Sequence, residues 1–243
     1  MDREAMLELI VVILLGITAL CTAWASWIGS LHGGNQATNY TVSNNLASEG
    51  NSEYNAGVQQ MNQDMLLWND ISDMQMTILF AQANDDQLTL DRTCYQLFYK
   101  LDENLSEDMA QSIGWDYQLS QEEYDDPTTT VLAWLKDDSS MKSPFFDEDY
   151  MASYFTAAND LLAESQATLE QGRKDNANGD AFGLVTVIYS VVLFLLGISG
   201  SFKNTKNKYA LVIISLVAFA GATIYMLTLP LPTGFNLMGF FGG

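Results

Sequence analysis

The sequence predicts an all-α membrane protein with three transmembrane helices and a helical-bundle extracytoplasmic domain inserted between the first and second spans. Three stretches of the chain are almost free of charge and long enough to cross a bilayer, which takes about 20 apolar residues as helix. The region between the first two carries 27 Asp and Glu against 6 Lys and Arg, a net charge of −21. The same region repeats apolar residues at helical spacing, which is typical of a folded bundle rather than a disordered acidic tail.

The predicted spans run over residues 7–28, 181–202 and 209–231, and Glu8 is the only charged residue inside them. The first is expected to be retained, because the segment before it is acidic and its apolar run exceeds that of a cleaved signal peptide. A passable cleavage pattern at Ala23 and Ala25 keeps a cleaved peptide as the alternative. The chain is therefore divided into six parts: 1–30, 31–180, 181–202, 203–208, 209–231 and 232–243.

Orientation is predicted from the short loop 203–208, which contains Lys203, Lys206 and Lys208. The positive-inside rule places this loop in the cytoplasm, so the N-terminus lies inside and the acidic domain and the C-terminus lie outside. Trp24 and Trp27 then fall near the outer end of the first span, where amphipathic rings prefer the membrane interface.

The acidic region is predicted to contain several helices. An apolar stripe with steps of three and four follows residues 54–81, and a second helix is expected over 86–111. A short helix is expected after Asp126-Pro127, where Asp can cap and Pro can occupy the first turn. From residue 147 one long helix is expected to enter the second span. The predicted breaks are a turn at 83–86, irregular chain at 114–126, a connection at 136–146 and a weak point at Gly179.

Catalytic and metal-binding motifs are missing from the sequence, which predicts a protein without enzymatic activity or cofactor. Cys21 and Cys94 are expected to be free core residues, and His32 is the sole histidine. We expect His32 to be an interfacial polar residue at a Gly-rich join, with a pH-sensitive group or an isolated ligand as the alternatives. Of the acidic runs, Asp147, Glu148 and Asp149 are a weak candidate for Ca²⁺, since no EF-hand pattern occurs and such charge runs usually only form a solvated surface.

The C-terminal tail, 232–243, is apolar and rich in Gly and Phe. The prolines at 230 and 232 are expected to end the third span. We expect the tail to anchor at the membrane interface, and the alternatives are that it packs back on the helices or lines a pore mouth.

Two segments carry a resemblance to a known family. In residues 22–40, TAWASWIGSLHGGNQATNY, the positions that match are Thr22, Ala23, Trp24, Ser26, Gln36, Ala37 and Tyr40, with Trp27 in place of Tyr. A second match begins at Ala177-Asn178, continues through Asp180 and the second span, and the third span ends in Thr228-Leu229-Pro230. The chain thus resembles a family of uncharacterised bacterial three-span membrane proteins. The resemblance implies a bacterial cytoplasmic membrane and no particular activity. Gly33-Gly34-Asn35 departs from the less Gly-rich turn of the family, and there the helix is expected to be weakest.

Charge and composition favour two functions. The first is a homo-oligomeric channel-like assembly in which the acidic domain forms a vestibule that attracts cations. Gln36, Asn39 and Tyr40, in the polar stem after the first span, are its candidate pore-facing or oligomer-contact residues. The second is a membrane-anchored extracytoplasmic sensor or scaffold that binds a protein or lipid partner. Expected partners are membrane lipid, further copies of the chain and cations, and clustered basic residues for nucleic acid are lacking.

Overall fold

The structure, a computed structural model, describes residues 3–116, 118–202 and 204–236. Over these residues it contains eight α-helices, one 3₁₀ turn at Pro144–Phe146 and no strand. The helices are α1 Arg3–Ala83, α2 Gln87–Asn104, α3 Glu107–Ser112, α4 Gln121–Asp125, α5 Pro127–Trp134, α6 Glu148–Ser153, α7 Thr156–Ser199 and α8 Thr205–Thr228. Lys203 and residues 237–243 of the predicted tail lie outside the described residues.

Among the described helices, α1, α7 and α8 each contain a stretch long and apolar enough to cross a membrane. The coarse fold class is therefore confirmed as an all-helical protein with three candidate membrane spans. A helix satisfies its own backbone hydrogen bonds, which is what a segment in hydrocarbon requires. The last of these helices, α8, ends at Thr228, two residues before the first of the prolines predicted to terminate it.

The turn predicted at 83–86 is confirmed, and the helix predicted after it is divided in two. Asp85 adopts a left-handed backbone with φ of 56°, and Asp86 caps α2 by accepting a hydrogen bond from an amide of its first turn. The single helix predicted over 86–111 is wrong, because Ser106 caps the separate helix α3 in the same way. Serine is favoured at the N-cap of a helix and disfavoured in a helix interior.

Region 114–126, predicted to be irregular, contains the short helix α4. Its start is stabilised by a capping box, in which the Glu123 carboxylate accepts from the backbone amide of Ser120 at 2.6 Å. The next helix, α5, begins as predicted, with Asp126 as the cap and Pro127 in the first turn.

The long helix predicted from residue 147 is interrupted, although not at its glycine. α6 ends at Ser153 and α7 begins at Thr156, whereas Gly179 lies inside α7. The Gly33-Gly34 pair likewise lies inside the continuous helix α1. Helices in proteins gain most of their stability from packing, so single glycines of unfavourable propensity are tolerated inside them.

By its packing the chain divides into two compact units, and unit 1 comprises Met1–Asn45 and Glu164–Gly243. Within unit 1, α1 and α8 begin at the same end, because Lys208 Nζ lies 3.6 Å from Glu8 Oε1. Leu7, near the start of α1, packs with Leu196, near the end of α7, so α7 runs in the opposite direction. These relative directions match the predicted order of spans. The side of the membrane on which the lysine loop lies stays a prediction.

The interior of unit 1 consists of two apolar clusters along the three helices. The first contains Ala25, Ile28, Phe182, Val185, Tyr189 and Ala222. The second contains Leu7, Val192, Leu196 and Val212.

Unit 2 comprises Leu46–Ala163, and its core joins the last part of its α1 segment to α2, α3, α5 and α6. Fully buried core residues include Ile71, Ile78, Cys94, Leu97, Phe98, Met109, Ile113 and Val131. The predicted domain limits at 31 and 180 refer to the membrane surface and stay a prediction.

The apolar stripe predicted along α1 is confirmed over 68–81 and only half-buried over 54–65, where Val58 and Met61 are half-buried and Met65 is exposed. In the latter range Tyr54 is 47% exposed, and the buried positions are Gly57 and Asp64. A glycine and an aspartate add nothing to a hydrophobic pattern, so the pattern could not show which face of this segment is buried.

Candidate functional site

The first polar feature is a buried hydrogen-bond network in unit 1, which we call the His32 cluster. It contains the side chains of His32, Asn39, Gln171 and Asp175 and the carbonyl of Pro230. His32 Nδ1 lies 2.9 Å from Asp175 Oδ1, and His32 Nε2 lies 3.1 Å from the Pro230 carbonyl oxygen. The other carboxylate oxygen, Oδ2, accepts from Asn39 at 3.0 Å and from Gln171 at 3.3 Å. His32 and Asp175 are each only 1% exposed.

Helix spacing and small residues bring this cluster together. His32 and Asn39 are seven residues apart on one face of α1, and Gln171 and Asp175 are four apart on one face of α7. Both helices carry glycine beside the cluster. A Cβ atom added at Gly29 would lie 3.2 Å from a side-chain carbon of α7. The close approach of the two helices therefore depends on residues without side chains.

The His32 ring has a partner at each of its two nitrogens. Both partners are oxygen atoms that only accept hydrogen bonds, a carboxylate and a carbonyl. The ring also stacks on Phe182, with centroids 5.9 Å apart. The cluster joins α1, α7 and the segment after α8 through buried hydrogen bonds.

The expected location of His32 at the membrane interface stays a prediction. The structure adds that His32 is buried inside unit 1 and has a partner at each ring nitrogen. The sequence did not identify Asp175 as its partner. The two residues are 143 positions apart, and neither belongs to a recognisable local motif.

Of the residues predicted to face a pore or another copy, two contact α7 of the same chain. Asn39 donates to Asp175, and the Tyr40 ring lies where a Cβ atom at Gly172 would approach it to 2.6 Å. Gln36 is half-buried. A role for these residues in an assembly stays a prediction.

The described part of the C-terminal tail packs back on α1, one of the three arrangements considered. Asn35 Nδ2 donates to the Thr233 carbonyl at 3.2 Å. The Phe235 ring meets Trp24 and Trp27 edge to face, at 6.1 and 5.8 Å between centroids. The two tryptophans predicted at the membrane interface are thus half-buried by the tail of their own chain.

The loop predicted to set the topology is described only in part, since Lys203 is outside the described residues. Lys206 is exposed. Lys208 is half-buried beside Glu8, which is the one charged residue inside the predicted spans.

The second polar feature is a cleft in unit 2, which we call the Asp64 cleft. Its volume is about 380 Å³. Three acids line it, Glu53, Asp64 and Asp108, together with Tyr150 and Tyr154. The remaining lining residues are small or amide-bearing: Ala56, Gly57, Gln60, Ser106, Ser153 and Ala157. None of the lining residues is a Lys or an Arg.

Asp64 is 4% exposed and is held by three donors. Tyr150 Oη and Tyr154 Oη each donate to Oδ2, at 2.9 and 2.6 Å, and Gln60 Nε2 donates to Oδ1 at 2.8 Å. The two tyrosine hydroxyls also contact one another. Gly57 permits this arrangement, because α1 passes directly against the Tyr154 backbone at this point.

Burial raises the pKa of both Tyr150 and Tyr154, and their hydrogen bonds to Asp64 raise it further. Both phenols therefore stay protonated and act as donors to the carboxylate at neutral pH. The sequence did not identify this site. The sequence contains one signal for it. Asp64 lies on the same face of α1 as Trp68 and Ile71, and an acid on an apolar face is a candidate for a buried role.

The weak Ca²⁺ candidate takes a structural role. The Asp147 side chain accepts from the backbone amides of Asp149 and Tyr150 at 3.0 and 3.2 Å, which caps α6 and lowers the pKa of Asp147. Glu148 and Asp149 are exposed. Among residues 3–116, 118–202 and 204–236, no group of three or more His, Cys, Asp or Glu side chains is arranged to hold a metal ion.

Comparisons of the chain with protein-family models, with curated proteins and with solved structures gave no match in any of the three. The family resemblance in residues 22–40 and 177–230 therefore stays a prediction.

Proposed function

We propose that this chain is a membrane-anchored binding protein whose acidic helical domain recognises a cationic organic ligand at the Asp64 cleft. In this proposal α1, α7 and α8 span a bacterial cytoplasmic membrane, and residues 31–180 lie outside it. Support for the topology comes from the lysines of the loop 203–208 and from the acidic charge of the domain. The role is non-enzymatic.

The chemistry of the cleft favours a ligand with ammonium groups. Glu53, Asp64 and Asp108 supply negative charge, and no basic side chain lines the cleft to neutralise it. The rings of Tyr150 and Tyr154 add aromatic surface, which attracts cations through the negative face of the π system. A volume of about 380 Å³ suits a small molecule or one extended side chain of a peptide.

The observation that carries the proposal is the fixed carboxylate of Asp64. A buried carboxylate is costly unless it is hydrogen-bonded, and here three donors hold it in one orientation. An ionised carboxylate has about four acceptor positions, so one remains for a ligand. An acid held rigidly in a cleft loses little freedom on binding, which favours affinity.

The test is calorimetric titration of the purified full chain in detergent with spermidine as the probe. We expect saturable binding that weakens as salt is raised, and a loss of about tenfold or more in Asp64→Asn, because a charge-assisted hydrogen bond contributes about 1.5–3 kcal/mol. Asp138→Asn is the matched control, since Asp138 is exposed in the same unit and does not line the cleft. Equal weakening in both variants, or no saturable binding by the wild type, would refute the proposed site.

A channel-like homo-oligomer is the second proposal, and the net charge of −21 on residues 31–180 supports it by attracting cations. Asn39 and Tyr40 are engaged with α7 in the chain itself, so the pore of such an assembly needs other lining residues. Cation flux into liposomes containing the purified protein is the test. Vesicles that stay impermeable to cations at high protein density would argue against a channel.

A further inference from the structure

We propose that unit 1 holds one phosphatidylethanolamine molecule in a groove at the end where α1 and α8 begin. This inference is independent of the ligand proposed for the Asp64 cleft. The groove has a volume of about 300 Å³ and is lined mainly by apolar residues of α1 and α7. Leu7, Val11 and Leu15 form one wall and Leu196 and Gly197 the other. Because the proposed function places α1, α7 and α8 in the membrane, the acyl chain of a lipid is the apolar group that can occupy this groove.

The groove lies beside two glycines, Gly197 near the end of α7 and Gly200 directly after it. A Cβ atom added at Gly197 or at Gly200 would meet no atom within 4 Å. Both glycines line the groove, so larger residues here would fill it. Small residues alone do not make a binding site, and the charges at the mouth of the groove provide the second observation.

The mouth of the groove carries one charge of each sign. Lys208 Nζ lies 3.6 Å from Glu8 Oε1, and both residues line the groove. The lysine side chain is only 14% exposed, whereas that of Glu8 is 68% exposed. At this separation the two groups do not form a close hydrogen bond, so each retains capacity for another partner.

This pair complements a zwitterionic headgroup that can donate hydrogen bonds. The lipid phosphate pairs with Lys208, and the primary ammonium of ethanolamine donates to Glu8. Phosphatidylglycerol has no ammonium, so its headgroup cannot donate a charge-assisted hydrogen bond to Glu8. Phosphatidylcholine has a quaternary ammonium that cannot donate to a carboxylate. The chemistry of the mouth therefore selects ethanolamine over the other two headgroups.

Native mass spectrometry of the full chain in detergent, titrated with each of the three lipids, tests the proposal. We expect a single tightly bound phosphatidylethanolamine, and adducts with the other two lipids about tenfold weaker, which is the discrimination expected from one charge-assisted hydrogen bond. Gly197→Leu is expected to lose the adduct. Gly183→Leu is the matched control, because Gly183 is also exposed on α7 with open space around its Cβ position and does not line the groove.

Two charge variants keep the test informative if filling the groove prevents folding. Glu8→Gln is expected to retain lipid but lose the preference for ethanolamine over glycerol headgroups, and Lys208→Gln is expected to weaken all three lipids. Equal binding of the three lipids by the wild type, or an unchanged preference in Glu8→Gln, would overturn the proposal. Adducts that Gly197→Leu retains at wild-type strength would also overturn it, since they would show lipid bound elsewhere.

Discussion

Replacing His32 with alanine removes the side chain that pairs with the buried carboxylate of Asp175, and the structure sets the size of the effect. Breaking a buried pair by removing one member typically costs about 3–5 kcal/mol, because a buried charge is left uncompensated. Asp175 keeps two amide donors, from Asn39 and Gln171, which places the cost near the lower end. The Pro230 carbonyl also loses its donor. We therefore expect a loss of about 3–4 kcal/mol in the stability of unit 1.

Asp175→Asn separates charge from shape. The asparagine retains one acceptor for the His32 ring, so we expect a smaller loss, about 1–3 kcal/mol, from replacing the carboxylate. In the double variant His32→Ala/Asp175→Asn no carboxylate is stranded. Its destabilisation should therefore be smaller than the sum of the two single variants, with a coupling of about 1–3 kcal/mol.

Thermal unfolding of the full chain in detergent measures these effects. At about 2–4 °C per kcal/mol for a chain of this size, His32→Ala should lower Tm by roughly 6–16 °C. Asp180→Asn is the matched control, since Asp180 is an exposed acid on the same helix, and it should stay close to the wild type. A His32→Ala variant that melts with the wild type, or single variants whose effects add without coupling, would refute the buried pairing of His32 with Asp175.

Three further predictions concern unit 2 and α1. Burial raises the pKa of the Cys94 thiol to about 11, so maleimide at pH 8 should label Cys94 far more slowly in the folded protein than in denaturant, as site-resolved mass spectrometry would show. Gly57→Ala should overpack against a backbone carbonyl and lower the free energy of unfolding by about 1–3 kcal/mol. Gly33→Ala, in open space inside a helix, should raise the free energy of unfolding by up to about 1 kcal/mol. Thermal unfolding compares the two variants, and equal shifts in Tm would contradict the packing. Because the pKa values of Tyr150 and Tyr154 are raised in the folded state, the unfolded chain releases their protons first, and stability should fall as pH rises above about 10. The variant Tyr150→Phe/Tyr154→Phe should show a smaller fall in Tm between pH 8 and pH 11 than the wild type. An equal fall in both proteins would argue against the raised pKa values of the two tyrosines.

Helix existence was easier to predict than helix ends. The break before α2 and the start of α5 follow from Asp86 and Asp126, side chains that cap the next residues along the chain. The break between α6 and α7 has no such local cause. It lies at Tyr154 and Phe155, whose side chains contact α1 through Asp64 and Tyr54. A turn held by contacts 90 or more residues away in sequence leaves no pattern within a window of a few residues.

The candidate sites show the same limit. The lysines of the loop 203–208 and the acidic charge between the first two spans are compositional and can be recognised from the sequence. The interfacial position of Trp24 and Trp27 stays a prediction. The Asp64 cleft and the His32 cluster depend on hydrogen bonds between residues that lie 86–198 positions apart. Asn39 was singled out from the polar stem after the first span, but its partner, Asp175, was found only in the fold.

The sequence by itself determined that the chain is helical, that three helices are apolar enough to cross a membrane, and that acidic charge is concentrated between the first two. These properties are sums over neighbouring residues, and a helix closes its hydrogen bonds within four residues. Only the tertiary structure decided which polar residues are buried together, where the tail after α8 packs, and which glycines bring helices into contact. Burial of a polar group is favourable only when a partner is present, and the partners here are supplied by distant segments of the chain.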